Sequence, residues 1–380
     1  MTKIRIIALH LAYGGVEKAI ISTANLLAER YEVEIISMYH MPNSPAYELD
    51  PKVKVVYLMK DIPNKEAFLT SLEQKKPLKI IKEGCKSIKI LYKKRALLKK
   101  VAAQIHDGIV ITTRNEDTVL FNRYLDQKVY LIAQLHHDHR FDKKLVSDFQ
   151  KHYGRVDVFA LLSQRLCDEV CEMMQGYNTH TKCIVIPNFI NDIPAQDIFP
   201  QKEHVLLTVG RLHKVKGYDR LIKMAKAICS DTDWKLNIIG DGFEEANLRA
   251  LAKTEHAEDY VAFLGQKNGD EVEEAMKKAS VFLMTSYSEG FPFVLLEAMR
   301  AKLPCIAFDV RVGPGALIDH EKNGYLIKDH DSDAFVKACR ELMVNQEIRT
   351  EMGEAAYEKC RCYTKSAVAD LWFRVIEKGI

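Results

Sequence analysis

The stretch TSYSEGFPFVLLEAMR, residues 285–300, decides the fold that we predict for this chain. It follows an apolar run, Val281 to Met284, that is typical of a buried strand in a parallel sheet. A polar turn comes next, and Pro292 then stands where the first residue of a helix would be. A strand, a turn and a helix in this order present backbone N–H groups and the positive end of a helix dipole to an anion. Glu289 and Glu297 flank this expected anion site, where each could bind hydroxyl groups of a sugar nucleotide.

The same alternation of short apolar strands and helices runs through both halves of the chain. Its 380 residues are more than one core comfortably holds, so we expect two domains. Residues 187–204 contain three prolines and no periodicity, which is typical of a linker. We therefore predict an α/β protein with Rossmann-like domains at residues 1–190 and 191–362, each a doubly wound parallel sheet. Ligands of such sheets bind at the carboxyl ends of the strands, so two facing sheets predict a cleft between the domains.

Charge and composition exclude several classes of protein. The net charge is +3, which gives no overall argument for a nucleic-acid partner. Nine cysteines form no CxxC pair and no secretory framework, so reduced, buried thiols are expected. The chain opens with a charged MTKIR and not with a signal peptide, and no apolar run approaches the roughly 20 residues that span a bilayer. We therefore expect a cytoplasmic protein.

The segment Lys75–Lys100 differs from the rest of the chain in its charge. It carries eleven lysines and arginines against a single acid, Glu83, with apolar residues interleaved. A basic amphipathic helix of this kind suits an anionic membrane surface. The alternative is a solvated helix face whose lysines keep the protein soluble. We favour the membrane, on the inner face of the plasma membrane, because the excess of cations is larger than solubility usually requires.

Two glycine-containing loops are candidates for binding a phosphate group. GRLHKVKG follows an apolar strand, and its Arg211 and Lys216 could hold a diphosphate from two sides. Gly14 and Gly15 follow the first strand and would let the backbone approach a ligand closely, although the full GxGxxG pattern is absent. A simple tight turn is the alternative for Gly14–Gly15.

Three histidines and an aspartate at residues 136–139 resemble a metal site in composition only. Consecutive residues of an extended chain point to opposite sides, so these four side chains can hardly converge on one ion. A single histidine at the carboxyl end of a parallel strand is well placed to meet a ligand. Two Asp-x-Asp stretches, at residues 231–233 and 331–333, fall in a turn and at a helix N-cap, where local hydrogen bonding is expected. We therefore predict no metal site and no cofactor.

Four motifs together resemble a known family. GRLHKVKG, GDG at residues 240–242, PNFI at 187–190 and EGFPFVLLEAM at 289–299 look like the retaining nucleotide-sugar glycosyltransferases of family four, which have the GT-B fold. Glu289 and Glu297 match the E-x7-E pair of that family, and Gly14–Gly15 matches its glycine-rich first loop. The resemblance covers the whole second domain and is weaker in the first. It implies that the final helix, residues 363–380, packs back on the first domain.

The resemblance also implies a role for individual residues. Arg211 and Lys216 would stabilise the charge that develops on the diphosphate, while Glu297 would bind the ribose and Glu289 the sugar. His136 would face the transferred sugar, with His137 as the alternative. Pro292, where many relatives have glycine, can donate no amide. The other residues expected at the donor are Leu264 and Gly265 at the nucleobase, and Gly290, Phe291, Phe293 and Val294 at the phosphates and sugar.

The sequence thus predicts a retaining hexosyltransferase. It would move a sugar from a nucleotide diphosphate, with UDP expected, to a glycan or lipid-linked acceptor in the synthesis of a bacterial cell-surface polysaccharide. Two alternatives remain open at this point. One is a sugar-nucleotide epimerase on the same architecture, and the other is a sugar-binding protein without catalysis.

Overall fold

The computed structural model describes residues 2–60, 62–194 and 199–378, and its contacts divide them into two compact units. The first unit contains the described residues up to Leu161, together with Cys167–Ile186 and those from Ala369 onward. The second contains Leu162–Leu166 and Pro187–Val368. Apart from Leu162–Leu166, the chain therefore enters the second unit at Pro187, the first residue of the expected linker.

The first unit is built on a seven-stranded sheet in which every pairing is parallel, in the order β3-β2-β1-β4-β5-β6-β7. In chain order its elements are β1 (Lys3–Ala8), α1 (Gly15–Leu27), β2 (Glu32–Tyr39), β3 (Lys54–Met59), α2 (Lys65–Glu73), α3 (Pro77–Gln104), β4 (Ile109–Thr112), α4 (Asn115–Tyr124), β5 (Tyr130–Leu135), α5 (Lys143–His152), β6 (Val158–Leu161), α6 (Gln164–Met174) and β7 (Lys182–Val185).

The second unit is built on a six-stranded sheet, again with every pairing parallel, in the order β10-β9-β8-β11-β12-β13. Its elements are β8 (Val205–Val209), α7 (Tyr218–Cys229), β9 (Lys235–Ile239), α8 (Glu245–Thr254), β10 (Val261–Phe263), α9 (Gly269–Lys278), β11 (Val281–Met284), α10 (Phe293–Arg300), β12 (Cys305–Asp309), β13 (Gly324–Lys328), α11 (Ser332–Val344), α12 (Gln346–Cys360) and α13 (Lys365–Lys378).

The central strands are apolar because helices cover both faces of each sheet. All four residues of β4, IVIT, are buried, as are all four of β11, VFLM. A strand that is covered on both faces is a continuous apolar run, whereas a strand with one exposed face alternates apolar and polar residues. The predicted α/β class with two doubly wound parallel sheets is confirmed.

The strand order in each sheet reverses at one position, and ligands of open α/β sheets bind at such a reversal. In the first unit the reversal lies between β1 and β4, and in the second it lies between β8 and β11. The loop with Arg211 and Lys216 follows β8, and the loop with Glu289 follows β11. Two of the loops that were expected to bind the donor thus leave the two strands that border the reversal.

Helix α13 has residues in both units. Lys365 to Val368 belong to the second, where the Lys365 amide donates to the carbonyl oxygen of Ile190 at 2.9 Å. From Ala369 the helix belongs to the first unit, where the guanidinium carbon of Arg30 lies 3.8 Å from the ring centroid of Phe373. Among the described residues, none of the helices is both long enough and apolar enough to cross a bilayer.

Candidate active site

An ion pair joins the two loops at the strand reversal of the second unit. The Lys216 Nζ lies 2.7 Å from the Glu289 Oε1. The Lys216 side chain is a quarter exposed and the Glu289 side chain is 10% exposed, so water screens this pair less than a surface pair. Two residues predicted to contact the donor, 73 positions apart in the chain, therefore contact each other.

Backbone hydrogen bonds hold the same two loops together. The Tyr287 amide donates to the carbonyl oxygen of Val215 at 2.8 Å, and the Thr285 hydroxyl donates to that of Gly217 at 2.9 Å. Gly217 has a φ of 64°, and its Cα faces the Thr285 carbonyl so closely that a Cβ would overlap the oxygen. Only glycine fits this backbone conformation and this approach. The positions of Lys216 and Glu289 are therefore coupled through the main chain as well as through their side chains.

The loops after β8, β9 and β10 are linked in the same way. The amide of Leu212 donates to the Asp241 carbonyl at 2.7 Å, and that of Gly240 to the Gly265 carbonyl at 2.8 Å. A Cβ on Gly240 would overlap the carbonyl oxygen of Gly210. Leu264, expected near the nucleobase, is 40% exposed beside Gly265. The expected diphosphate and nucleobase positions thus belong to one connected set of loops, and Arg211 is exposed within it.

Helix α10 begins at Phe293, and Pro292 precedes it as the N-cap instead of opening it as predicted. The side chains of Phe291 and Phe293 are buried, and the Phe291 ring lies 5.6 Å from that of Tyr363 between centroids. These two residues could therefore contact a ligand only through their backbone groups. Val294 is half-buried in the first turn. An anion at this position would meet the N-terminus of the helix.

The remaining predicted residues of the second unit border this helix end. Gly290 lies directly before Phe291, and Glu297 is half-buried in the second turn of α10. Gly313, in the loop after β12, was not among the predicted site residues. A Cβ there would lie 2.7 Å from the Glu289 Cβ. Gly313 has a φ of 105°, so both its conformation and its contact require glycine. A fifth loop therefore packs against the side chain of Glu289.

In the first unit, the Gly14–Gly15 loop connects β1 to α1. The Gly14 amide donates to the Tyr47 hydroxyl at 3.2 Å, and this hydroxyl lies 3.2 Å from the Gly14 carbonyl oxygen. Gly15 has open space where a Cβ would stand. The tyrosine thus holds the glycine loop at the carboxyl end of a central strand.

His136 is the first residue after β5 and is 8% exposed. Its two ring nitrogens are buried without a hydrogen-bond partner among the described residues. Burial, and secondarily the neighbouring His137, lower the pKa of His136 to about 4. The imidazole is therefore neutral at pH 7. His137 is exposed, and the His139 Nε2 lies 3.0 Å from the Glu169 Oε2, so the clustered histidines have separate environments.

The neutral state of His136 predicts a stability that depends on pH. Between the ordinary pKa of 6.5 and the folded value of about 4, the unfolded chain binds one more proton than the folded chain. The free energy of unfolding should fall as the pH drops through this window, by about 3 kcal/mol in total. Denaturant titrations at pH 7 and pH 4 measure this loss. The variant His136→Gln, which does not titrate, should lose about 3 kcal/mol less; an equal loss in both proteins would contradict the prediction.

Both Asp-x-Asp stretches have the local roles that were predicted. The Asp331 carboxylate caps α11 by accepting from the Ala334 amide at 3.0 Å. In the other stretch, the Thr232 hydroxyl donates to the Cys229 carbonyl at 2.8 Å, and the Asp233 Oδ2 lies 2.7 Å from a ring nitrogen of His204. Among the side chains that the structure describes, no three of His, Cys, Asp or Glu are grouped so that they could hold a metal ion.

A cavity of about 220 Å³ lies beside the coupled loops of the second unit. His213, Tyr218, Asp219, Glu244 and Tyr287 are among the residues that line it. It borders the loops after β8 and β11 but does not include Arg211, Lys216 or Glu289. The contacts between the loops, and not this cavity, therefore define the candidate site.

Comparison with known proteins gives consistent results. Residues 189–359 match the family model described as Glycosyl transferases group 1. An uncharacterized glycosyltransferase of Haemophilus influenzae is 26% identical over 372 residues, which cover 94% of this chain and 95% of that protein. The GalNAc-alpha-(1->4)-GalNAc-alpha-(1->3)-diNAcBac-PP-undecaprenol alpha-1,4-N-acetyl-D-galactosaminyltransferase of Campylobacter jejuni is 25% identical over 380 residues, 99% of this chain and 98% of that protein.

Solved structures extend the similarity to the fold of the whole chain. The pneumococcal O-GlcNAc transferase GtfA, in complex with UDP and GlcNAc, aligns with a TM-score of 0.75 and 17% identity. The alignment covers 100% of this chain and 99% of that chain.

Proposed function

The chain belongs to the group 1 glycosyltransferases, and from this premise we propose that it moves a hexosyl group from a UDP-sugar to a glycan or lipid-linked acceptor. Its two doubly wound parallel sheets have the GT-B fold. The chain is thus a hexosyltransferase related to enzymes of bacterial glycan synthesis. Transfer with retention of the anomeric configuration, in the synthesis of a cell-surface polysaccharide, is part of the proposal.

The Lys216–Glu289 pair is the observation that carries the proposed chemistry. A cation and a carboxylate lie 2.7 Å apart where two loops meet at the strand reversal, next to the N-terminus of α10. A diphosphate at this helix end would take over the Lys216 ammonium, and Glu289 would then be released to hydroxyl groups of the sugar. Arg211, exposed in the same loop as Lys216, would bind the diphosphate from a second side. The names of the two comparison proteins, a GalNAc transferase that extends an undecaprenol-linked glycan and a structure with bound UDP, support the donor and acceptor classes.

In the proposed reaction these residues act on the charge of the leaving group. As the bond between the sugar and the diphosphate breaks, negative charge grows on the diphosphate, and Arg211 and Lys216 stabilise it. Glu297 would bind the ribose. The incoming hydroxyl approaches on the face that the diphosphate leaves and gives its proton to an oxygen of the leaving diphosphate as the new glycosidic bond forms, so the configuration is retained. The nucleotide sugar is a substrate, and the proposal includes neither a metal nor a cofactor.

A thermal-shift panel of UDP-, GDP- and ADP-sugars tests the donor class. A UDP-sugar at a hundred times its dissociation constant should stabilise the folded chain by about 2.7 kcal/mol, because it binds only the folded state. The Lys216→Ala variant should lose this shift at the same concentration. A shift with GDP- or ADP-sugars alone would refute the UDP assignment, and release of an epimerised nucleotide sugar instead of free UDP would refute transfer.

We also propose that the chain works at an anionic membrane surface, through the exposed side of α3. One stripe of this helix carries Leu78, Ile81, Ile88 and Tyr92, between 64% and 83% exposed. Ile90 and Leu98, on another side of the helix, are buried. An adjoining stripe of the helix carries five exposed lysines: Lys79, Lys82, Lys86, Lys89 and Lys93. Four of them directly follow a residue of the apolar stripe in the chain.

The combination of these two stripes favours a membrane over solvent alone. Large apolar side chains that lie exposed in a row mark an interaction surface, whereas single exposed ones are common. Lysines beside such a row would contact anionic headgroups while the apolar row enters the interfacial region. Because the buried side of α3 is a different one, the helix would bind a membrane without leaving its unit. This position would bring the enzyme close to a lipid-linked acceptor.

A further inference from the structure

Arg220 is a buried cation whose donor groups are directed at the loop that leads to Glu289. It lies in the first turn of α7 and is 8% exposed. Its Nε donates to the Thr285 carbonyl at 2.5 Å, and its Nη2 donates to the carbonyl of Ser286. Its Nη1 lies 2.6 Å from the Asp329 Oδ1. A buried guanidinium is tolerated because these partners use its N–H groups and balance its charge.

Two aromatic rings lie against the same guanidinium. Its central carbon lies 4.0 Å from the ring centroid of Phe308 and 4.4 Å from that of Tyr287. The Tyr287 hydroxyl in turn donates to the Asp219 Oδ2 at 2.8 Å. Arginine combines planar stacking with several fixed N–H directions, and lysine does not.

Through these contacts Arg220 lies beside the chain segments that carry Lys216 and Glu289. It contacts neither the Lys216 ammonium nor the Glu289 carboxylate. Thr285 and Ser286 are the first residues after β11, and Glu289 follows three positions later. Thr285 also lies against Gly217, the residue directly after Lys216. The guanidinium thus fixes the segment that precedes Glu289 against the segment that follows Lys216.

We propose that Arg220 is a positioning residue for the donor site, which sets the separation of Lys216 and Glu289 by clamping the Thr285 and Ser286 carbonyls. The inference rests on the proposed function, since it assigns Arg220 to the site that binds the nucleotide diphosphate. A displacement of about 1 Å at a reacting group is enough to lower the rate of an enzyme by up to 10²-fold. The clamp therefore acts on binding and transfer through the geometry of the two loops.

The variant Arg220→Lys tests this role because it keeps the charge beside Asp329 and loses the planar pair of carbonyl contacts. We expect the dissociation constant for UDP, measured by calorimetry, to rise about tenfold, and kcat for transfer to fall by at least about tenfold. The matched control is Arg349→Lys. Arg349 also donates to backbone carbonyls, those of Leu342 and Met343, and its guanidinium lies 5.2 Å from the Trp234 ring, within the same unit.

A purely structural role would give a different pattern. The melting temperatures of the two variants show how much each loses in stability, and only Arg220→Lys should change UDP affinity. In a Glu289→Gln background, Arg220→Lys should lower kcat by much less than tenfold, because both changes act through one carboxylate. Equal UDP affinity and kcat in Arg220→Lys and Arg349→Lys would overturn the inference. A wild-type chain that neither binds UDP nor transfers a sugar would instead overturn the proposed function.

Discussion

Replacing Lys216 with alanine is expected to lower kcat/KM for sugar transfer by about 10²–10³-fold, the range seen when one group that stabilises transition-state charge is removed. The ammonium is held 2.7 Å from the Glu289 carboxylate, which sets its direction. The variant Glu289→Gln should cause a loss of similar order, because it removes the carboxylate that both positions the ammonium and would bind the sugar. Steady-state assays with a UDP-sugar and an acceptor measure both effects.

The control for this experiment is an ion pair of the same unit outside the loops. Lys278 and Glu274 lie 2.6 Å apart within α9, four residues apart in the chain, and both side chains are exposed. Lys278→Ala should leave kcat/KM unchanged, since an exposed ion pair on a helix surface contributes little to stability and this pair lies outside the loops. If a well-folded Lys216→Ala protein transferred sugar at the wild-type rate, the site assignment would be wrong. Arg211→Ala gives an independent test of the same assignment.

Reversing the charge of Lys82, Lys86, Lys89 and Lys93 is expected to weaken binding to anionic vesicles by about 10³-fold or more. Each lysine near such a surface contributes about 1 kcal/mol, so the loss of four attractive charges alone removes about 4 kcal/mol. Co-sedimentation with vesicles of phosphatidylglycerol and phosphatidylcholine measures the binding. The attraction should weaken with added salt, because exposed charges are screened.

The matched control for the membrane experiment changes the net charge equally elsewhere in the first unit. Lys128, Lys143, Lys144 and Lys151 are exposed and lie outside α3, and their reversal should weaken binding much less. A variant with Leu78→Ser, Ile81→Ser, Ile88→Ser and Tyr92→Ser keeps every charge in place. Its loss of binding therefore measures the contribution of the apolar stripe. Unchanged binding after reversal of the α3 lysines would refute the membrane surface.

Most of the fold could be predicted from the sequence because its central strands are short, continuous apolar runs. Val281–Met284 has the bounds that the sequence predicted, and Ile109–Thr112 is a run of the same kind. Strand β13 is harder to recognise in this way, because GYLIK opens with glycine and ends with lysine. The order of strands could not be predicted either, because a run of apolar residues identifies a strand but not its neighbours.

The candidate site could be predicted residue by residue but not as an arrangement. Arg211, Lys216 and Glu289 were recognisable from their place after apolar strands, yet nothing in the sequence indicated that Lys216 and Glu289 contact each other. Arg220 looked like any charged residue in the first turn of a helix. Its burial depends on Phe308 and Asp329, which come from two later parts of the chain. Long-range partners of this kind leave no local signal.

The glycines that let these loops meet also determine how the enzyme could be redesigned. A Cβ on Gly217, Gly240 or Gly242 would overlap a carbonyl oxygen of another loop, so a substitution there moves two loops together. Libraries that randomise these glycines would therefore be dominated by inactive clones, whatever donor is selected. Exposed positions such as Leu264, which leave the carbonyl contacts intact, are where a new nucleobase preference should be sought.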